Sequence, residues 1–253
     1  MLAIQGAPGE GKSYQAREAL ARIGAYVVPI SGAAISGPHE GDAVNVLLSA
    51  YRFASALRVD DRRLAVLLID DFDLSVAATR ENRTYTVNSQ LVTGTLMNLA
   101  DDPIHYATKY ARVPIILTGN NFQDLHLPLT RHGRMTFFEW MPNEKERLQV
   151  IQAMLANLLP RREQARLGEF LMFVRDEPLS FVSAIKDDLI NRLIVEHARQ
   201  GRMQFEVLES AITEMLTRVS VDDLMELATL RKKGQQTQDY IPRRRSWWSP
   251  RER

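Results

Sequence analysis

Near the amino terminus, Gly6-Ala7-Pro8-Gly9-Glu10-Gly11-Lys12-Ser13 fits the pattern G-x-x-x-x-G-K-[ST]. It lies between an apolar run and a helix expected to start near Tyr14, the context in which this pattern holds phosphates. Gly6, Gly9 and Gly11, with Glu10 between them, let the backbone wrap phosphate oxygens with N–H groups. Lys12 reaches the β and γ phosphates, the Ser13 hydroxyl can ligate Mg²⁺, and the helix opening at Tyr14 adds positive potential. The competing reading is a glycine-rich turn that merely precedes a helix. A second signal is the run Leu64-Ala-Val-Leu-Leu-Ile69, which ends in Asp70-Asp71. Carboxylates at the end of a buried strand emerge at the carboxyl edge of a parallel sheet beside bound phosphates, so Asp70 is placed as the magnesium ligand, with Asp71 next to it. Here the alternative is two surface acids closing a strand.

The elements that must position these residues follow from hydrophobic period. From Met1 to Pro142, β-type runs alternate with helical segments, the pattern of a parallel sheet flanked by helices. The runs are Met1 to Gln5, Ala25 to Ser31, Leu64 to Ile69, Arg112 to Thr118 and Thr136 to Trp140. Val44, Leu47, Leu48 and Tyr51 share one helical face behind an expected Asp42 cap, and a second helix is expected over Thr86 to Leu99. After Pro142 the β-type runs stop. Asn143 and Glu146 have capping-box spacing ahead of Ile151, Leu155 and Leu158, and further helices are expected over Leu179 to Gln200, Phe205 to Arg218 and Val221 to Arg231. The reading divides the chain into an α/β nucleotide-binding part over 1–142, a small helical lid over 143–233 and a flexible basic tail over 234–253.

Composition narrows the classes. The chain has 253 residues, is 45% apolar and balances 32 Lys and Arg against 31 Asp and Glu, so overall charge gives no reason to expect nucleic acid or a membrane surface. The basic character is concentrated instead: eight cations between Arg231 and Arg253 face only Asp239 and Glu252. Cysteine is absent, which removes disulfides and thiolate chemistry, and no histidine has metal-ligand spacing. With neither a signal-like leader nor an apolar run of membrane-spanning length, a soluble cytoplasmic protein is expected.

From Leu64 to Trp140 the residues become more specific. The segments LAVLLIDDFD, TYTVNSQLVTGTLMNLADDP and RVPIILTGNNFQDLHLPLTRHGRMTFFEW resemble Rubisco activase, an AAA+ ATPase family whose members free Rubisco from inhibitory sugar phosphates. The likeness continues more weakly through PLSFVSAIKDD and SVDDLMELA. It implies ATP hydrolysis with Mg²⁺ by a ring, expected to be hexameric, acting on a protein substrate with Rubisco as the first candidate. Asp71 falls where most AAA+ proteins carry the glutamate that orients water. Asn120 matches sensor 1, whose amide can both donate and accept near the γ-phosphate. Arg131 and Arg134 match candidate arginine fingers acting on the neighbouring subunit's ATP, with surface ion pairing as the alternative for each. Lys186 stands where a sensor 2 arginine would fall.

The stretch from Leu74 to Tyr85 resembles the first central-pore loop, with Arg80, Arg83 and Tyr85 as contact candidates and simple solvation as the alternative. The second pore-loop region, around His105 to Ala111, looks shortened. The sequence begins almost on the first strand, so the N-terminal domain of plant activases is expected to be missing. No counterpart of the extended specificity helix is evident between Glu196 and Phe205, and a Rubisco-small-subunit-like module after the core is not expected. Arg243 to Arg251 interleaves cations with Trp247 and Trp248, suited to nucleic acid, an acidic protein groove or a neighbouring subunit, or to no partner at all. Two other readings follow: a nucleic-acid-associated AAA+ ATPase, and a non-hydrolysing nucleotide-dependent scaffold motivated by Asp71 and Lys186.

Overall fold

The computed structural model describes residues 1–35, 39, 41–60, 64–73, 86–106, 111–123, 125–156, 158–199 and 219–238. Arg80, Arg83 and Tyr85, most of the region around His105 to Ala111, the helix expected over Phe205 to Arg218 and the basic aromatic segment lie outside the described residues. The chain divides into two compact units, Met1–Met141 and Pro142–Arg253.

In the first unit the strands are β1 (Leu2–Gln5), β2 (Tyr26–Ser31), β3 (Ala65–Asp70), β4 (Ile115–Gly119) and β5 (Thr136–Glu139). They form one parallel sheet in the order β2-β3-β4-β1-β5. Helices α1 (Lys12–Arg22), α2 (Asp42–Asp60) and α3 (Val87–Asp101), with the short α4 (Pro103–Tyr106) and α5 (Leu127–Thr130), connect them. Strand β3 is buried on both faces, as the centre of a doubly covered sheet must be. Leu67 and Ile69 join Leu47 and Tyr51 of α2, Leu96 of α3 and Leu117 of β4 in the larger core, while Leu68 turns to the other face with Ile4 and Ala16 of α1. Truncating the fully buried Leu67 or Leu117 to alanine should therefore cost about 2–5 kcal/mol.

Local chemistry sets the element ends. Thr86 caps α3 by accepting from the Ser89 N–H at 3.1 Å. Asp42 is not the cap of α2 but sits in its first turn, where its charge suits the helix dipole. Strand β4 begins at Ile115 rather than Arg112. Pro114 has no N–H to pair, and the Arg112 guanidinium is spent on the carbonyls of Ala100 and Asp101, at 2.9 and 3.0 Å, at the end of α3.

The second unit is helical throughout its described residues: α6 (Glu144–Ala156), α7 (Arg161–Gln164), α8 (Leu167–Phe173), α9 (Leu179–Arg199) and α10 (Val221–Gln238). The capping box forms as its spacing requires, with Asn143 N–H donating to Glu146 at 2.8 Å and Glu146 N–H to Asn143 Oδ1 at 3.0 Å. Leu155, Phe170, Val182, Ile185 and Leu224 build the core. One expectation needs correction. Helix α10 does not give way to a tail at Gly234 but runs to Gln238. The turn just before Gly234 is anchored by Arg231, bidentate on Asp188 of α9 at 2.7 and 2.8 Å, and by Lys232, which donates to the Phe173 carbonyl and lies 4.3 Å over that ring. Among the described residues, no helix is long and apolar enough to cross a membrane.

Candidate functional site

Because every strand runs the same way, the loops after β1, β3 and β4 emerge on one edge, and three separated stretches of sequence meet there. The first is Gly6 to Ser13. Gly9 and Gly11 adopt φ of 76° and 79°, the left-handed region in which a side chain is strained, and Gly11 caps α1 in that conformation. The turn leaves Lys12 as the first helical residue and buries it. Its ammonium donates to the carbonyls of Gly6 and Ala7 at 3.0 and 2.9 Å and to Asn120 Oδ1, beyond β4, at 3.0 Å. Burial lowers the Lys12 pKa below the usual lysine value; Asp73, Asp71, Glu10 and Asp70 oppose this without cancelling it. The loop is also tied from outside: Trp140, just past β5, donates from Nε1 to the Glu10 carbonyl at 2.8 Å, and Glu10 itself is buried. Tyr14, in contrast, is largely exposed.

The second stretch closes β3. Asp70 accepts short hydrogen bonds from the Ser13 and Thr118 hydroxyls and pairs with Arg17 at 3.5 Å. Burial alone would raise its pKa, but the hydroxyl hydrogen bonds and the guanidinium prevail and hold it below the ordinary aspartate value. Asp71 behaves oppositely. Desolvation and the neighbouring charges of Asp70 and Asp73 raise its pKa, against the pull of Lys12. Its backbone stands at φ 53°, uncommon for a residue other than glycine, and its N–H donates to Thr118 Oγ1 at 3.3 Å. Gly32, buried at the start of the 3₁₀ turn Gly32–Ile35, packs under this corner: a Cβ there would lie 2.2 Å from the Asp71 carbonyl oxygen.

The third stretch follows β4. Asn120 is exposed, and its side chain meets Lys12 as described. Lys12 with Asn120 and Ser13 with Asp70 thus form two contacting pairs that start from adjacent residues of the loop, an ammonium and an amide beside two oxygen groups suited to a hard cation. Among the described residues, no group of three or more His, Cys, Asp or Glu could by itself hold a metal.

The arginines after α5 lie elsewhere. Arg131 is exposed, whereas Arg134 is held within its own chain, bidentate on Asp101 at the end of α3 and donating to the Pro128 carbonyl at 2.6 Å. Lys186 is half-buried on α9, in the second unit. Thr118, Asp73, Arg17, Trp140 and Gly32 were not singled out by sequence reasoning. Asp73 was visible as the third acid of the run DDFD, and Thr118 as the polar residue near the end of an apolar strand, but nothing local marks Gly32 or Trp140.

A family model described as "ATPase family associated with various cellular activities (AAA)" matches residues 2–143. The chain is 34% identical over 208 residues to a ribulose bisphosphate carboxylase/oxygenase activase of Anabaena, an alignment covering 79% of this chain and 49% of that protein. Its counterpart in Nostoc is 37% identical over 194 residues, 74% of this chain and 46% of that one. A chloroplastic activase of Phaseolus vulgaris is 28% identical over 242 residues, 87% and 54%. The chain spans about half the length of the curated relatives it matches.

Proposed function

Since the chain belongs to the AAA family of ATPases, we propose that it binds and hydrolyses ATP and spends the hydrolysis on remodelling a protein substrate, as a ring. The observation that carries this reading is the meeting of Lys12, Ser13, Asp70 and Asn120 at the carboxyl edge of the sheet. The same contacts provide the fit for the cofactor: a buried ammonium for phosphate oxygens, and a hydroxyl touching a carboxylate for Mg²⁺. Backbone N–H groups of the loop through Gly6, Gly9, Glu10 and Gly11 would hold the phosphates with Lys12, Tyr14 flanking them at the first turn of α1. Ser13 and Asp70 would hold the ion. Magnesium bound there neutralises charge on the phosphate oxygens.

Lys12 must exchange its carbonyl and amide acceptors for phosphate, which leaves the Asn120 amide to engage the γ-phosphate or the attacking water. Asp71, beside Asp70, orients that water. Its shorter reach than glutamate favours slow turnover. Arg131 and Arg134 act on the ATP of the neighbouring subunit, and Lys186 reports nucleotide state to the helical unit. Similarity to Rubisco activases makes Rubisco the first substrate to test. ATP turnover should rise with protein concentration as rings form, and inhibitor-blocked Rubisco should regain carboxylation when protein and ATP are added. Concentration-independent turnover would count against the ring; unrecovered carboxylation would remove Rubisco as the substrate.

A further inference from the structure

We infer that Asp73 is a positioning residue for Asn120, and that it works through a cross-brace joining the loops after β3 and β4. Its carboxylate Oδ2 accepts the backbone N–H groups of Asn120 and Asn121 at 2.8 and 3.2 Å. The following turn is latched in the same fashion: Phe122 N–H donates to Gln5 Oε1 at 3.2 Å and Gln123 N–H to Asn121 Oδ1 at 2.8 Å. Four successive N–H groups are therefore held by side chains. Where Asn120 points is decided by Asp73 and Gln5 rather than by regular structure.

The brace also runs the other way. Asp71, two residues before Asp73, donates its N–H to Thr118, two residues before Asn120. The loop after β4 thus gives two backbone donors to Asp73, and the loop after β3 gives one to Thr118 at the end of β4, which ties Asp71 and Asn120, the two groups assigned to the attacking water, to one frame. Asp73 is only 8% exposed, and its second oxygen, Oδ1, is buried with no hydrogen-bond partner among the described residues. A carboxylate kept dry with one oxygen unanswered is costly, and a neutral side chain could cap the same N–H groups at lower cost. Its negative charge faces Lys12, the residue that Asn120 itself contacts. The clamp therefore sits against the lysine whose acceptors change when phosphate arrives.

The inference rests on the reading of this edge as an ATP-hydrolysing site, and the test separates the two. Asp73→Ala should lower kcat about 100-fold, the effect of an ångström-scale misplacement of a catalytic group, while KM for ATP changes only a few-fold. Asp73→Asn, which keeps an acceptor oxygen, should recover most of the loss. Because Asp73 acts through Asn120, the double variant Asp73→Ala/Asn120→Ala should be no slower than Asn120→Ala alone. Losses that multiply in the double variant, or an Asp73→Ala protein with wild-type kcat, would overturn the proposal. Should Asp73→Ala not fold, Asp73→Ser carries the same comparison. If Asn120→Ala itself hydrolyses ATP at the wild-type rate, the reading of the site fails instead. Amide exchange at Asn120 and Asn121 then decides the clamp alone: faster in Asp73→Ala and unaltered in Asp73→Asn supports it, and equal protection in all three proteins refutes it.

Discussion

Gly32→Ala should cripple hydrolysis from outside the phosphate loop. The added Cβ would stand 2.2 Å from the Asp71 carbonyl oxygen, 2.9 Å from its carbon and 3.0 Å from the Asp70 oxygen, where ordinary contact begins at 3.4 Å. All three atoms are backbone, so no rotamer change relieves the clash. Either the 3₁₀ turn or the Asp70–Asp71 corner must move by roughly 1 Å, at a cost of about 1–3 kcal/mol, or a loss in Tm of several degrees. The corner carries both acids, so kcat should fall about 100-fold, with a smaller effect on nucleotide binding through the loop. Gly24→Ala is the control. Gly24 has φ of 68° but nothing within 4 Å of its Cβ direction, so alanine there brings backbone strain of about 1–2 kcal/mol without displacing the acids. Steady-state turnover and thermal melting of both variants decide the matter. A Gly32→Ala protein that keeps wild-type kcat would refute the claim that close packing beneath Asp71 sets the geometry of the site.

Other consequences concern charge. Asp71 is held above the usual aspartate pKa, so its ionised form destabilises the fold once pH rises through that value. Asp71→Asn should therefore melt higher than wild type at neutral pH, with the gap closing as pH falls through the carboxylate range; a gap that widens on acidification would contradict this sign. Arg134→Ala should retain ATP binding, lose most turnover, and recover part of it when mixed with Asp71→Asn protein. A monomeric, fully active Arg134→Ala protein would rule out action across an interface. Asp101→Ala, which removes the carboxylate partner of Arg134 and leaves it only the Pro128 carbonyl, should also change turnover, and unchanged rates would show the pair to be incidental.

The features that sequence revealed are those encoded within a few residues. The glycine turn ahead of α1, the acids after Ile69 and the Asn143–Glu146 box depend on neighbours one to seven positions apart, and the five β-type runs coincide with five strands to within three residues. What stayed hidden was tertiary. Gly32 meets Asp71 across 39 positions, Trp140 steadies Glu10 across 130, and Arg134 finds Asp101 across 33. No periodicity marks such pairs. The continuation of α10 past Gly234 was hidden for a related reason, because the glycine and the polar run signal a stop while the anchors, Asp188 and Phe173, come from other helices.

Calorimetric titration of Mg-ATP into wild-type and Lys12→Ala protein tests the central claim most directly. Wild type should bind with measurable heat, and loss of a charge-assisted contact to phosphate should weaken affinity by about 1.5–3 kcal/mol, roughly 10- to 150-fold in Kd. No heat in wild type, or equal affinity in the two proteins, would contradict the assignment of this edge as the nucleotide site.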